Sequence, residues 1–233
     1  FTSHFLHHTR PIHNRVDDSL AAIVEGAPYI MRRARGFAPY PVMLPAAVEG
    51  CVLAVGAHLK NTITIAEDRY AFVSQYTGDL DNPDTCAFFE ETIEKMKSLY
   101  GLEPSSVACD LHPDYHSTKF AMGTGLPVHK VQHHVAHMMA CMAENGLKDN
   151  VLGVIMDGTG LGTDKTIWGG ELLLMKERKI SRADHLPKVM QPGMDSASKN
   201  PGRMLISYLH EFGLLDEFQE TLTRKLFIPE KDI

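Results

Sequence analysis

The sequence predicts an α/β protein of two tandem lobes, the second incomplete. Two observations carry this: a run of three strands, helix, strand, helix, strand and helix between Cys51 and Glu144, and a restart of that pattern at Val151-Leu152-Gly153-Val154-Ile155, which echoes Val52-Leu53-Ala54-Val55. A third is composition. The chain has 233 residues, 44% hydrophobic and 22% charged, enough to bury a core. Its net charge of -6 argues against nucleic acid or an anionic membrane as principal partner. Cys51, Cys86, Cys109 and Cys141 lie far apart with no C-x-x-C pair, and no signal-like or membrane-length apolar run occurs. A reducing cytoplasm is the expected compartment.

Residues 1–40 read differently from the rest. Leu20 to Val24 and Tyr29-Ile30-Met31 flank the turn Glu25-Gly26-Ala27-Pro28 and predict a hairpin. Forty residues cannot easily hold a core of their own. They are expected to be the packing-poor end of another domain, joined by a linker at Ala38-Pro39-Tyr40-Pro41. The missing initiator methionine and the polar stretch Pro229 to Ile233 suggest a piece of a longer chain.

The first lobe, residues 41–149, opens with expected strands at Cys51 to Val55, Thr62 to Ile65 and Tyr70 to Val73. Asp84 starts an amphipathic helix with Phe88, Phe89, Ile93, Met96 and Leu99 on one face, stopping at Tyr100-Gly101. Ser106 to Leu111 is a strand, Ser117 to Met122 a short helix and Val128 to Val131 a strand. In the second lobe, residues 150–233, Val151 to Ile155, Ile167 to Met175 and Lys179 to Ala183 predict strands. Asn200 to Phe212 predicts a helix with Met204, Leu205, Tyr208, Leu209 and Phe212 on its apolar face, followed by a second apolar face over Leu214 to Leu226. Two such units describe the actin-like ATPase architecture, ribonuclease H-like and sugar-kinase-like, which holds a nucleotide between its lobes.

Chemistry concentrates in two stretches. Val131-Gln132-His133-His134-Val135-Ala136-His137 lies at a strand-to-helix corner, and His133 and His137, four apart, share one helix face and can close on one ion. His134 points elsewhere. A helix start with surface histidines is the plainer alternative. Asp157-Gly158-Thr159-Gly160-Leu161-Gly162-Thr163-Asp164 follows a strand directly. Its glycines let backbone N–H groups approach an anion, and Asp157 at the strand end can face a metal. It lacks the P-loop spacing, and an ordinary glycine hairpin is the alternative. Together His133, His137 and Asp157 are the donors of an open His-His-Asp site suited to Zn(II) or Fe(II). Trp168-Gly169-Gly170-Glu171 adds close backbone approach and a carboxylate, while the Trp168 ring suits core packing.

These strings, with Cys109-Asp110-Leu111-His112-Pro113-Asp114-Tyr115, Val55-Gly56-Ala57-His58-Leu59-Lys60-Asn61-Thr62 and Ser74-Gln75-Tyr76-Thr77-Gly78-Asp79-Leu80, resemble the hydrogenase maturation carbamoyltransferases, the HypF family. The likeness runs nearly end to end. Arg10 to Ser19 and Arg32 to Gly36 resemble the end of that family's YrdC-like domain; composition alone favours a solvated linker for Arg32 to Gly36, and the sharper alternative is that Arg32, Arg33 and Arg35 bind oxyanions.

The resemblance implies a defined chemistry. ATP and carbamoyl phosphate give carbamoyl adenylate in the YrdC-like domain, and the transferase domain passes the carbamoyl group to the C-terminal cysteine of a HypE-type partner for cyanide ligand synthesis. It implies catalytic and metal-binding roles for His133, His137 and Asp157. It further implies nucleotide contacts, with Mg, from Gly56, Lys60, Asn61, Asp157, Gly158, Thr159, Gly160, Gly162, Asp164, Gly170, Glu171 and Gly193. Two departures stand out: Val135 replaces a third consecutive histidine, and Met194 stands in Pro192-Gly193-Met194-Asp195 where Gly is usual. A tRNA threonylcarbamoyl transferase-like protein shares the paired-histidine logic, but the Asp157 loop, Asp110 to Pro113 and the YrdC-like tail argue against it. A non-catalytic module whose histidines bind a structural metal is the alternative from another class.

Overall fold

A computed structural model describes residues 3–225 except 195, 198 and 199. The polar stretch Pro229 to Ile233 and the end of the expected apolar face at Leu226 lie outside the described residues.

The hairpin forms from β1 (Leu20–Val24) and β2 (Ala27–Arg32), antiparallel, through Glu25 and Gly26 at φ 51 and 81°. It leans on the next unit. Arg15 pairs with Glu91, its guanidinium lies 4.7 Å over the Phe88 ring, and that of Arg32 lies 4.1 Å over Tyr76.

Next comes a mixed sheet of β3 (Pro41–Ala54), β4 (Thr64–Val73), β5 (Ser106–Asp110) and β6 (Val128–Val131) in the order β4-β3-β5-β6. β3, β5 and β6 run parallel, with β4 antiparallel to β3. Two expectations are corrected here. Thr62 to Ile65 and Tyr70 to Val73 are not separate strands: β4 carries through Glu67-Asp68-Arg69, where Asp68 at φ 50° is absorbed by register shifts against β3. And Pro41 is not linker, because β3 already begins there and pairs with Phe72.

Between the strands lie α1 (Pro83–Tyr100), α2 (His116–Gly123) and α3 (His133–Glu144). α1 is capped by Asn82, whose side chain accepts from the Thr85 N–H, and stopped by Gly101 at φ 64°. It buries Phe89, Ile93 and Met96 against Leu53, Val55, Ile63, Ile65, Val107 and Ala121, whereas Leu99 stays exposed.

The second unit holds a three-stranded antiparallel sheet in the order β11-β10-β7, from β7 (Val151–Ile155), β10 (Glu171–Lys176) and β11 (Lys179–His185). β8 (Gly160–Leu161) and β9 (Ile167–Trp168) form a small separate ladder. The single strand expected over Ile167 to Met175 is therefore two, broken where Gly170 turns at φ 66°. α4 (Pro201–Glu211) and α5 (Leu215–Lys225) follow. On α4 the one buried residue is Ser207, and Leu205 and Phe212, expected on a packed face, are exposed.

α3 is the element both units share. Its Met138 and Met142 pack with Ile155, Trp168, Leu173 and Met175 of the second unit, while its N-terminal end meets the carboxyl edge of the first sheet.

Candidate functional site

Ligand sites in parallel α/β sheets form outside the carboxyl ends of the strands. Three such ends converge here, β3 leading into Val55-Gly56, β5 ending at Asp110 and β6 leading into Gln132-His133, and they are met by β7 of the antiparallel sheet, which leads into Met156-Asp157. His133 and His137 project from the first two turns of α3, with ring centroids 4.9 Å apart. One donor atom from each of His133, His137 and Asp157 lies within 4.8 Å of the others. Asp157 Oδ2 is 3.1 Å from His133 Nε2 and 3.8 Å from His137 Nε2. That oxygen is buried without a well-directed hydrogen bond. A carboxylate oxygen and two imidazole nitrogens so placed fit a tetrahedral or open divalent site.

Asp110 orients the first of these side chains. Its Oδ2 accepts from His133 Nδ1 at 2.7 Å, and its Oδ1 accepts from the His112 N–H at 2.9 Å. This is the carboxylate–histidine pairing that fixes tautomer and ring direction in metal sites. The hydrogen bond to Asp110, then the close contact with the Asp157 carboxylate, outweigh burial and push the His133 pKa up to about 9. The same pairing holds Asp157 below the usual carboxylate range. His134 behaves oppositely, because burial lowers its pKa.

His134 points away from the face shared by His133 and His137, as expected, but it is buried and not a surface histidine. It is 0% exposed, with Nδ1 3.0 Å from Gln132 Nε2 and Nε2 3.4 Å from the Asp157 carbonyl oxygen. Tyr115 was also missed. It stacks on His112 at 4.3 Å and on His58 at 5.4 Å, and burial, then the charges of Asp110 and Asp157, pushes its phenol pKa up. Asp110 and Tyr115 sit in the string Cys109 to Tyr115. A carboxylate ending a parallel strand was the available signal.

The glycine loop divides by position. Gly158 faces open space, and Thr159 is exposed beside it. A Cβ at Gly160 would meet His133 Cβ at 2.8 Å and His134 Cε1 at 2.8 Å, and one at Gly162 would strike the Trp168 ring. Asp164 closes the loop, accepting from Thr166 N–H and Oγ1 and from Trp168 Nε1, and these bonds hold its pKa well down. Glu171 is 1% exposed, bonded to Arg182 Nε at 2.5 Å and to the Gly169 N–H at 3.0 Å. Gly170 backs onto Leu186.

In the first unit, Gly56 at φ 67° lies against the Thr62 carbonyl. Asn61 is buried, donating to the Val55 and Ala57 carbonyls and accepting from Thr77 Oγ1. Lys60 binds Asp79 Oδ1 through its backbone N–H at 2.7 Å, leaving its side chain exposed. Gly193 stands apart from the His133–Asp157 group, packed against Arg203. A cavity of about 290 Å³ opens beside the histidines, walled by Ala54, Gly56, Ala57, Ala108, Ala136 and Ala140. Among the described residues no helix is long and apolar enough to cross a membrane.

Residues 47–144 match the family model described as the HypF Kae1-like domain, and residues 153–232 that of the carbamoyltransferase Kae1-like domain, second subdomain. Carbamoyltransferase HypF of Synechocystis sp. is 46% identical over 206 residues, 88% of this chain and 27% of the relative. Probable carbamoyltransferase HypF of Methanocaldococcus jannaschii is 36% identical over 235 residues, 99% of this chain and 30% of the relative. The chain thus spans under a third of the length of these relatives. A crystal structure of full-length HypF in the phosphate- and nucleotide-bound form superposes with a TM-score of 0.81 at 42% identity, over 88% of this chain and 32% of that one. With both family models and relatives of this identity agreeing along the chain, the protein belongs to the HypF carbamoyltransferase family.

Proposed function

We propose that this chain is the carbamoyl-transfer portion of a HypF-type protein of the cytoplasm, moving a carbamoyl group from carbamoyl adenylate to the C-terminal cysteine of a HypE-type partner. The adenylate derives from carbamoyl phosphate and ATP. The observation that carries the proposal is the convergence of His133, His137 and Asp157 at strand ends beside a cavity. In this reading the two sheets are the lobes of an actin-like arrangement, residues 41–149 and 150–233, the second lobe partial, and residues 1–40 are the tail of a YrdC-like domain.

His133, His137 and Asp157 would hold the divalent ion, zinc or iron. Such an ion supplies Lewis acidity toward a carbonyl. Asp110 keeps the His133 Nδ1 proton in place, so that Nε2 is the nitrogen offered to the site. The alanine and glycine walls keep the cavity apolar, which strengthens electrostatic contacts within it and discourages hydrolysis of an activated carbamoyl group. Tyr115 keeps its phenolic proton at neutral pH and is a hydrogen-bond donor near the two carboxylates. The phosphates, with Mg, would lie along the open backbone at Gly158 and Thr159. Gly160, Gly162, Asp164, Gly170 and Glu171 act by holding that loop's shape, and Gly56 lines the cavity across from it, in a turn held by the buried Asn61 amide.

The test is carbamoyl phosphate-dependent pyrophosphate release, which reports adenylate formation, together with labelling of the partner's terminal cysteine, in the full-length protein, comparing wild type with His137→Ala. Loss of labelling with pyrophosphate release retained supports the reading. Equal labelling by both removes these residues from the transfer step.

A further inference from the structure

Asp157 belongs to the second unit and the histidine pair to α3, so something must set the distance between them. Two carbonyls of the Asp157 loop hang on the start of α3. The Asp157 carbonyl faces His134 Nε2 at 3.4 Å, and the Leu161 carbonyl faces Gln132 Nε2 at 3.3 Å. The Gln132 amide has no freedom left. Its Oε1 caps α3 by accepting from the Val135 N–H at 3.0 Å, and its Nε2 also donates to His134 Nδ1 at 3.0 Å. With Nδ1 as acceptor, the His134 proton resides on Nε2 and points at the Asp157 carbonyl. Gly160, between the two anchored carbonyls, lets the loop lie against His133 and His134.

We propose that Gln132 and His134 form a latch that places Asp157 opposite His133 and His137, making His134 a positioning residue for the third ligand. This rests on the metal reading of the site. The latch acts through backbone carbonyls, so any residue-132 or residue-134 side chain lacking the donor frees the loop while leaving both histidine ligands on their helix.

A thermodynamic cycle separates this from simple packing. Zinc affinity would be measured by competition with a chromogenic chelator for wild type, His134→Ala, Asp157→Asn and the double variant. His134→Ala should weaken zinc about 10–100-fold, the range for residues supporting a ligand. On the Asp157→Asn background its further effect should fall to about 2-fold or less, since the ligand it serves is gone. Equal losses on both backgrounds would overturn the latch.

A second measurement needs no metal. The Gly170 N–H donates to the same Asp157 carbonyl at 3.0 Å. In metal-free protein its hydrogen exchange should quicken in His134→Ala and in Gln132→Met, with Val107 unchanged. Gln132→Met serves in both experiments if His134→Ala does not fold. If wild type takes up no zinc, the metal reading fails and exchange at Gly170 still decides the latch: unchanged exchange in both variants refutes it.

Discussion

The two sides of the candidate centre are built differently. On the first side, the histidines ride a helix fed by a parallel strand, and Asp110 at the end of the neighbouring strand holds His133 directly. On the second, Asp157 follows β7, whose sheet has one face packed under α3 and the other open: Leu152 is 58% and Val154 60% exposed. The difference is one of range. The histidine side is organised by contacts within one unit. Asp157 gets its place from residues of the other unit, through loop carbonyls.

The largest effect should come from breaking the better-built side. His133→Ala with His137→Ala removes two of three donors and should abolish stoichiometric zinc or iron, read by elemental analysis. Metal content equal to wild type would dissolve the centre. Asp110→Asn should come next, with metal affinity about 10–100-fold weaker because His133 loses the partner that fixes its tautomer. Titration calorimetry with ATP should be unchanged in that variant. A matching loss of nucleotide affinity would mean that the fold around β5 had been damaged instead.

Much of the first side was legible in the sequence, and little of what places the second. The spacing of His133 and His137 declares a shared helix face, and strand-end position singles out Asp157. Asp110 and His133 are 23 residues apart, and their contact exists only because β5 and β6 are parallel neighbours, which no local pattern states. The surroundings of His134 were illegible for a similar reason. Periodicity gives the direction a side chain takes from α3, but not that a second sheet lies in that direction. Asp68 shows the converse limit, since a turn-like Glu67-Asp68-Arg69 was accommodated inside one long strand by its pairing with β3.

His133, held first by Asp110 and then by Asp157, also gives the metal-free protein a pH signature. The His133 pKa is raised to about 9, so its contribution to stability is complete below the ordinary histidine value of 6.5 and is lost as pH climbs toward 9. Asp157 is shifted down, so its pairing with His133 contributes above the ordinary value of 3.8 and fades as acid protonates the carboxylate. Thermal unfolding in chelator should therefore show a plateau between these limits and a decline from about pH 6.5 to 9. His133→Gln should flatten that decline. An unaltered alkaline limb in the variant would assign the loss to other groups.

Within the loop itself, Gly158→Ala and Gly160→Ala compare open and closed backbone. Alanine at 158 meets nothing and should leave stability within about 0.5 kcal/mol. Alanine at 160 must push into His133 and His134, costing about 1–3 kcal/mol and loosening the metal with it. If both are tolerated equally, the loop does not lie against α3 as described.

The smallest expected effect lies away from the centre and has the opposite sign. In the turn after β11, Met194 N–H donates to the Gln191 carbonyl at 3.1 Å, with Pro192 and then Gly193 at φ 78° in the two central positions, as a type II turn requires. Met194 itself then sits at φ 50°, left-handed, with its side chain largely exposed. A residue with a Cβ pays about 1–2 kcal/mol for that conformation. Glycine would remove the strain but give back about 0.5–1 kcal/mol in chain entropy. Met194→Gly should therefore stabilise by about 0–1.5 kcal/mol, with Tm rising roughly 2–4 °C for each kcal/mol gained in a chain of this length. Zinc affinity should not change, because Gly193 and Met194 are not among the residues that converge on Asp157. A fall in Tm would show that the exposed Met194 side chain makes contacts worth more than its backbone strain.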